Sequence, residues 1–147
     1  MGVPDREAHV SGSVNEVSLT PVLEEYLEAI YRISPDEAVR PVDIAEALGV
    51  RAPTVTATLG RLETRGYIER EGTGVLLTEA GATEAAAILR RHRVAERFLV
   101  DYLGFDKSTV HDEACVLEHA MSDRLLDALE SLLDDPTTCP HGHPIPQ

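Results

Sequence analysis

The 147-residue sequence lacks the features that mark membrane and secreted proteins. It contains no run of 18 apolar residues, which excludes a predicted transmembrane helix. Residues 1–18 have no basic segment followed by an apolar one, so we predict a flexible polar tail rather than a secretory signal. The two cysteines are too few for a disulfide framework. Together these absences predict a cytoplasmic protein with free thiols.

Signatures of catalysis are also missing. The sequence has no HExxH spacing, no recognisable nucleophile motif and no catalytic loop. A metal-dependent hydrolase is further disfavoured because the candidate ligands described below lie on helices that are predicted to pack. We therefore expect a protein that is not an enzyme.

Positive charge is scarce, but it is unevenly distributed. The formal net charge of −13 argues at first against a nucleic-acid partner. Residues 51–70, however, contain four arginines and two glutamates, whereas residues 98–135 contain ten acidic and two basic residues. Residues 51–70 are therefore locally basic and residues 98–135 locally acidic, which softens the objection to DNA binding.

The N-terminal half has the element order of a winged helix-turn-helix. The segment "TPVLEEYLEAIYRI" begins with an N-cap threonine and a proline and carries apolar residues on one face. The segments "RPVDIAEALGV" and "APTVTATLGRLETRG" predict two shorter helices joined by the turn "LGVRAP". A β-hairpin is then predicted by "YIEREGTGVLLT". We therefore predict a DNA-binding domain over residues 19–78.

Arginine, proline and threonine side chains of this domain are the candidate DNA contacts. The arginines suit phosphate groups, and the proline and the threonine methyls suit thymine methyls at the base edges. Since Ala57 offers no hydrogen bond, we also expect readout of DNA shape. The six candidates are Arg40, Arg51, Pro53, Thr54, Thr56 and Arg61.

The C-terminal half is predicted to be helical over residues 79–135. Thr78 caps a long segment that ends at Gly104, "DKSTVHDEACVLEHAM" predicts a second helix, and Ser122 caps a third. The third helix predicts packing against another helix, in cis or across a dimer, because it carries a wide leucine face. That face consists of Leu125, Leu126, Leu129, Leu132 and Leu133.

Residues 136–147 are rich in proline and are predicted to form a linker or an extended end. This tail contains Cys139, His141 and His143 in a C-x-H-x-H spacing that could bind metal. Because such tails are more often disordered, we leave these three residues out of the predicted site.

The segment "HDEACVLEH" carries two stripes along one helix. The first is an apolar stripe formed by Val110, Ala114, Leu117 and Met121. Viewed down the helix axis, four side chains of metal-ligand type lie about 80–180° from the direction of Val110. One such residue alone would be an ordinary surface or core group, but four in one arc favour a metal site. These four are His111, Cys115, Glu118 and His119. Two neighbouring helices supply similar pairs beside their apolar faces, Glu25 with Glu28 and His92 with Glu96.

These segments resemble the DtxR/MntR family of iron- and manganese-dependent transcriptional repressors. The resemblance is carried by "EEYLEAIY", "DIAEALGVRAPTVTATLGRLETRGYI", "RRHRVAERFL", "HDEACVLEH" and the tail "HGHPIP", and it runs from about Leu19 to the C-terminus. It implies a mainly α fold, in which a winged helix-turn-helix domain precedes a helical metal-binding dimerisation domain. It also implies a homodimer that binds a palindromic double-stranded operator, with no membrane association.

The resemblance further implies where the metals bind. The primary site falls on Glu25, Cys115, Glu118 and His119, and an ancillary or neighbouring site falls on His92, Glu96 and His111. Glu28 matches an acidic ligand of the manganese-sensing branch. In larger members of the family, an SH3-like domain supplies further ligands to the ancillary site. In place of those ligands, water or carboxylates such as Glu28 would complete the ancillary site here.

The residues at two positions leave the metal open between Fe(II) and Mn(II). Iron sensors of this family carry methionine at the position of Glu25 and cysteine at that of Cys115, whereas manganese sensors carry carboxylates at both. The present pair is mixed, since a thiolate favours Fe(II), Co(II) or Zn(II) and carboxylates favour Mn(II). Co(II), Ni(II) and Zn(II) are expected surrogates.

We hypothesise that metal activates repression, because a cation relieves the repulsion among clustered carboxylates and fixes the winged helices relative to each other. The alternative is a winged-helix regulator that responds to an organic ligand or to redox state, with the His and Glu groups serving the structure only.

Overall fold

The computed structural model describes residues 19–147, so the predicted N-terminal tail lies outside the described residues. Six helices and one hairpin follow in the order α1 (Pro21–Ile33), α2 (Pro41–Leu48), α3 (Ala52–Thr64), β1 (Ile68–Glu71), β2 (Gly74–Leu77), α4 (Glu79–Leu103), α5 (Val110–Ala120) and α6 (Asp123–Leu132). The order confirms the predicted mainly α fold with a winged helix-turn-helix. None of the helices described between residues 19 and 147 is both long and apolar enough to cross a membrane.

Local signals in the sequence define the ends of most helices. The side chains of Thr20, Thr78 and Ser122 each accept a hydrogen bond from a backbone N–H in the first turn of α1, α4 and α6. Gly49 and Gly104 close α2 and α4 in the left-handed conformation. Thr20, Thr78, Ser122 and Gly104 were predicted as helix ends from residue type alone.

The winged-helix core is made of apolar side chains from α1, α2, α3 and the hairpin. Leu23, Leu27 and Ile30 of α1 are buried there with Ile44, and Leu59 and Leu62 of α3 complete the centre. The antiparallel wing pairs Ile68 with Leu77 and Glu71 with Gly74. Val39 adds a bridge to Val75, which ties the α1–α2 connection to the wing.

Gly81 explains how the long helix α4 approaches the wing. A Cβ atom at this position would lie 1.9 Å from the carbonyl oxygen of Tyr67 and 3.3 Å from a methyl group of Leu77. Only glycine allows the first turn of α4 to pack this closely against backbone. The glycine that weakens the helical pattern in the sequence is therefore required by the packing between the two halves.

A second apolar cluster joins α4, α5 and α6. It contains Val94, Ala95 and Leu99 of α4 together with Val110 and Ala114 of α5. On α6, Leu126 and Leu129 are buried in cis, whereas Leu125 and Leu132 remain 44% and 47% exposed. The predicted leucine face therefore has a buried side, which packs within the same chain, and an exposed side.

The C-terminal segment is packed against the helices, which differs from the predicted extended or disordered end. Thr138 pairs with Pro144, and the side chains of Cys139 and Ile145 are buried. Arg97 donates a hydrogen bond from Nε to the carbonyl oxygen of Thr138. Prolines gave the correct local signal of irregular backbone, but contacts with α4 hold that backbone in place.

Candidate metal centre and DNA-binding surface

His92 lies at the centre of the buried polar residues. Its side chain is completely buried on α4, deeper than the boundary position that the helical pattern predicts. Its Nδ1 atom is 3.1 Å from Oε2 of Glu118 on α5, and its Nε2 atom is 2.6 Å from Oε1 of Glu96. One imidazole thus connects two carboxylates from two helices.

Glu28 brings α1 into the same cluster. Glu28, His92 and Glu118 are all buried, and each offers a ligand atom within 4.8 Å of the other two. The three side chains come from α1, α4 and α5 respectively. The sequence predicted each of them as a ligand, and the structure places them at one point where the winged-helix core meets the second half.

Cys115 and His111 form the outer side of this centre. The Cys115 sulfur lies 3.5 Å from Nε2 of His111 and 3.8 Å from Nδ1 of His92. His92, His111 and Cys115 each offer a ligand atom within 4.8 Å of the other two. Because His111 is exposed and Cys115 is half-buried, the thiol side of the centre is open to solvent.

His119 and Glu25 lie at the edges of the cluster. The Nε2 atom of His119 is 3.3 Å from Oε1 of Glu118, and its Nδ1 atom is 3.8 Å from Oε1 of Glu24. Glu25 is exposed on α1 and lines a cavity of about 310 Å³ with Glu28 and Cys115. Of the implied primary set, Glu118 and His119 are in contact, Cys115 is grouped with His92 and His111, and Glu25 is an exposed residue of the cavity lining.

His141 is a residue that the sequence interpretation left out. Its Nδ1 atom is 2.8 Å from Oε2 of Glu96, and its Nε2 atom is 2.7 Å from the carbonyl oxygen of Lys107. Glu96 therefore lies between His92 and a histidine of the C-terminal segment. The C-x-H-x-H spacing was the available signal, and it was set aside because the tail was expected to be disordered.

The candidate DNA contacts are exposed residues outside the buried polar cluster. All six of the predicted residues, from Arg40 to Arg61, have exposed side chains. Arg40 and Arg51 occupy the N-cap positions of α2 and α3. The Thr56 hydroxyl donates to the carbonyl oxygen of Ala52, which leaves its methyl group for apolar contact.

Two family models match almost the whole described chain. Residues 18–76 match the iron dependent repressor N-terminal DNA binding domain. Residues 78–147 match the iron dependent repressor metal binding and dimerisation domain. The chain belongs to the iron-dependent repressor family.

Individual relatives agree with this membership. Iron-dependent repressor IdeR of Mycobacterium tuberculosis is 44% identical over 131 residues, which cover 87% of this chain and 56% of that protein. The diphtheria toxin repressor of Corynebacterium diphtheriae is 41% identical over 131 residues, covering 87% and 58% respectively. A solved manganese-dependent transcriptional repressor in complex with manganese superposes with a TM-score of 0.80 at 39% identity, covering 85% of this chain and 58% of that one. The chain thus spans somewhat more than half the length of these relatives.

The donor set of this family member suits a divalent metal. Four of its buried atoms lie 2.6–3.8 Å from a carboxylate oxygen or an imidazole nitrogen but outside hydrogen-bond geometry: His92 Nε2, Glu96 Oε2, Glu118 Oε2 and His119 Nδ1. Buried polar atoms are costly unless they are well paired, and carboxylate oxygens and imidazole nitrogens are typical ligands of Mn(II) and Fe(II). A cation bound among these atoms would relieve their crowding.

Interactions within the centre shift the pKa values of His92, Glu118 and Glu96. Burial opposes the charged form of His92, but its close contacts with Cys115, Glu118 and Glu96 outweigh that effect and raise the pKa of His92 to about 11. Burial raises the pKa of Glu118 to about 7, with the neighbouring Glu28 carboxylate adding to the effect. The pKa of Glu96 is lowered because its pair with His92 outweighs the opposing effect of burial. The centre therefore holds protons where a cation would bind.

Proposed function

We propose that this protein is a metal-dependent transcriptional repressor that senses Fe(II) or Mn(II) and controls genes of metal homeostasis. The observation that carries the proposal is the convergence of Glu28, His92 and Glu118 from three helices. Its relatives are described as iron- and manganese-dependent repressors, which supports the same conclusion. A DNA-binding rather than an enzymatic role, in the cytoplasm, follows from this proposal.

The ligands we propose come from both halves of the chain. Glu28, Cys115, Glu118 and His119 would hold one ion, with His92 beside them and Glu25 in the cavity lining. Glu96 and His111 remain the candidates for an ancillary site, and the contact between His141 and Glu96 supports adding His141 to them. When bound, the metal would supply positive charge that neutralises the buried carboxylates.

The location of the centre suggests how metal would control DNA binding. Glu28 lies on α1, whose opposite face packs in the winged-helix core. The same cavity is bordered by Ala47 and Leu48 at the end of α2, the first helix of the helix-turn-helix. Joining α1 to α4 and α5 would therefore fix the position of α2 and α3 relative to the second half. Fixed spacing of two recognition helices is what a palindromic operator requires.

A homodimer would use the exposed apolar surface of α4 and α6. Tyr102, Leu103 and Leu132 are exposed, and the Tyr102 hydroxyl donates to the carbonyl oxygen of Leu132. Exposed apolar groups collected on one surface are typical of subunit interfaces. We propose that this surface, with Leu125, provides the contact between the two protomers.

The function is tested by measuring operator binding with fluorescence anisotropy in the presence of Mn(II), Fe(II) or a chelator. We expect binding with either metal and at least a tenfold loss with the chelator, since coupling between two ligands is typically 5–150-fold. Equal affinity in all three conditions would contradict the proposed metal control.

The ligand assignment is tested in the same assay with Glu118→Gln, which keeps the shape of the side chain but removes its charge. We expect this variant to lose the response to metal while keeping its helical content by circular dichroism. Glu113→Gln is the matched control, because Glu113 is an exposed acid on the same helix. A wild-type response in Glu118→Gln would remove this residue from the site.

A further inference from the structure

An arginine already neutralises one of the candidate ligands. Arg32 follows Glu28 by one turn of α1, and its Nε and Nη2 atoms lie 3.0 and 2.6 Å from the same carboxylate oxygen, Oε1. Arg32 also lines the 310 Å³ cavity shared by Glu25, Glu28 and Cys115. A permanent cation of the protein thus lies in the cavity that we propose for the metal.

The surroundings of Glu28 explain why a cation is needed there. Its side chain is buried, and its carboxylate lies within 4.8 Å of the buried carboxylate of Glu118. Two buried carboxylates repel each other unless a proton or a cation intervenes. A guanidinium group suits this role because it stays charged at every physiological pH and binds carboxylates through a planar fork.

The charge of Arg32 extends beyond its own ion pair. Arg32 lines the same cavity as His111, Cys115 and Glu118. Its permanent positive charge therefore disfavours a second cation in that cavity.

We propose that Arg32 is an internal counter-ion that competes with the divalent metal for Glu28 and so sets the metal concentration at which the protein responds. This inference rests on the proposed function. For Glu28 to ligate a cation, the guanidinium must leave Oε1 or remain beside a doubly charged ion, and both are unfavourable. Removal of Arg32 should therefore tighten metal binding, although it removes a contact from the metal-free protein.

The test is the dissociation constant for Mn(II), measured from the free-ion signal in electron paramagnetic resonance, for wild type and Arg32→Gln. We expect Arg32→Gln to bind Mn(II) about five- to tenfold more tightly, since a partly exposed ion pair is worth little more than this. Arg32→Lys, which retains the charge, should remain within about threefold of wild type. Unchanged or weaker binding in Arg32→Gln would overturn the proposal.

Arg70→Gln is the matched control because Arg70 forms an exposed ion pair with Glu63 on the wing, with Nε 3.2 Å from Oε2. It changes the net charge by the same amount and should leave the dissociation constant within about twofold of wild type. An equal tightening in both variants would also overturn the proposal, since the effect would then come from net charge alone.

A measurement on the wild-type protein covers the case in which Arg32→Gln does not fold. Zn(II), which is diamagnetic, is titrated while the Nε–H resonance of Arg32 is followed by NMR. We expect this resonance to shift and its proton to exchange faster with water as the contact with Glu28 is lost. An unchanged resonance at one equivalent of bound Zn(II) contradicts the competition. If wild type binds neither Mn(II) nor Zn(II), the proposed function fails together with this inference; if it binds both and Arg32 does not respond, only the inference fails.

Discussion

The winged-helix core and the junction where α1 meets α4 and α5 are built from different kinds of side chain. The winged-helix core is formed by apolar side chains such as Leu27, Ile44 and Leu62. The junction with α4 and α5 instead buries four ionisable groups, Glu28, His92, Glu96 and Glu118. Burial of apolar groups stabilises a fold directly, whereas burial of charges is costly unless they are paired. The difference indicates that the junction is selected for something other than stability.

The DNA-binding domain and the junction also differ in how much their local structure depends on residues distant in the sequence. The caps and glycines of the DNA-binding half act within a few residues of the chain. The junction contains local pairs such as His92 with Glu96, but contacts between separate elements hold it together, as in the pair between His92 and Glu118. Variants that break a junction contact should therefore have larger effects on function than equivalent changes in the winged helix.

The largest expected effect is that of Gly81→Ala, which acts on the packing between the halves. The added methyl group would meet the carbonyl oxygen of Tyr67, which belongs to backbone and cannot rotate away. We expect a loss of about 2–4 kcal/mol in the free energy of unfolding, measured by urea denaturation. Gly60→Ala is the control, since its Cβ would meet open space on α3 and should stabilise by about 0.5–1 kcal/mol. Equal stabilities for the two variants would contradict this account of the junction.

Much of the fold could be predicted because the signals are local. Thr20, Thr78 and Ser122 were predicted as N-caps, and the apolar stripe of α5 correctly placed Val110 and Ala114 in the core. Helical periodicity also placed Glu28, His92 and Glu118 just beside the packed faces of their helices. The period of one helix shows which side a residue faces, so all three could be proposed as ligands.

The remaining features depend on how the elements cross. Periodicity does not show that Glu28 approaches His92 and Glu118 to within 4.8 Å, or that His92 is completely buried. The contact of His141 with Glu96 requires the C-terminal segment to fold back along α4, and nothing local in a Pro-rich sequence specifies that path. The pairing of Arg32 with Glu28 has an ordinary i, i+4 spacing, so only the surrounding cavity distinguishes it from a surface ion pair.

The second expected effect is a dependence of metal binding on pH. Below pH 7 the metal must displace a proton from Glu118, whose pKa is about 7, so affinity should rise as the pH increases from 6 to 8. His92, with a pKa of about 11, is protonated at both pH 6 and pH 8 and therefore does not contribute to the change in affinity between them. Glu96 is ionised at both because its pKa is lowered.

This dependence is measured by isothermal titration calorimetry in buffers of different ionisation enthalpy. We expect the number of protons released on Mn(II) binding to fall by about one between pH 6 and pH 8, as Glu118 loses its proton before the metal binds. The same number at both pH values would show that Glu118 does not titrate in this range.

The smallest expected effect belongs to the DNA-binding surface, where no buried charge is involved. Arg61→Ala should weaken operator binding by about 1 kcal/mol, because an exposed arginine that contacts one phosphate contributes a single screened interaction. The slope of log affinity against log salt concentration should decrease in magnitude by about 1, and binding of unrelated DNA should weaken equally. Arg124→Ala, an exposed arginine on α6, should change neither quantity. Both arginines are exposed and carry the same charge, so a difference between the two variants would separate a local phosphate contact from the general effect of net charge. The absence of a difference would remove Arg61 from the DNA-binding surface.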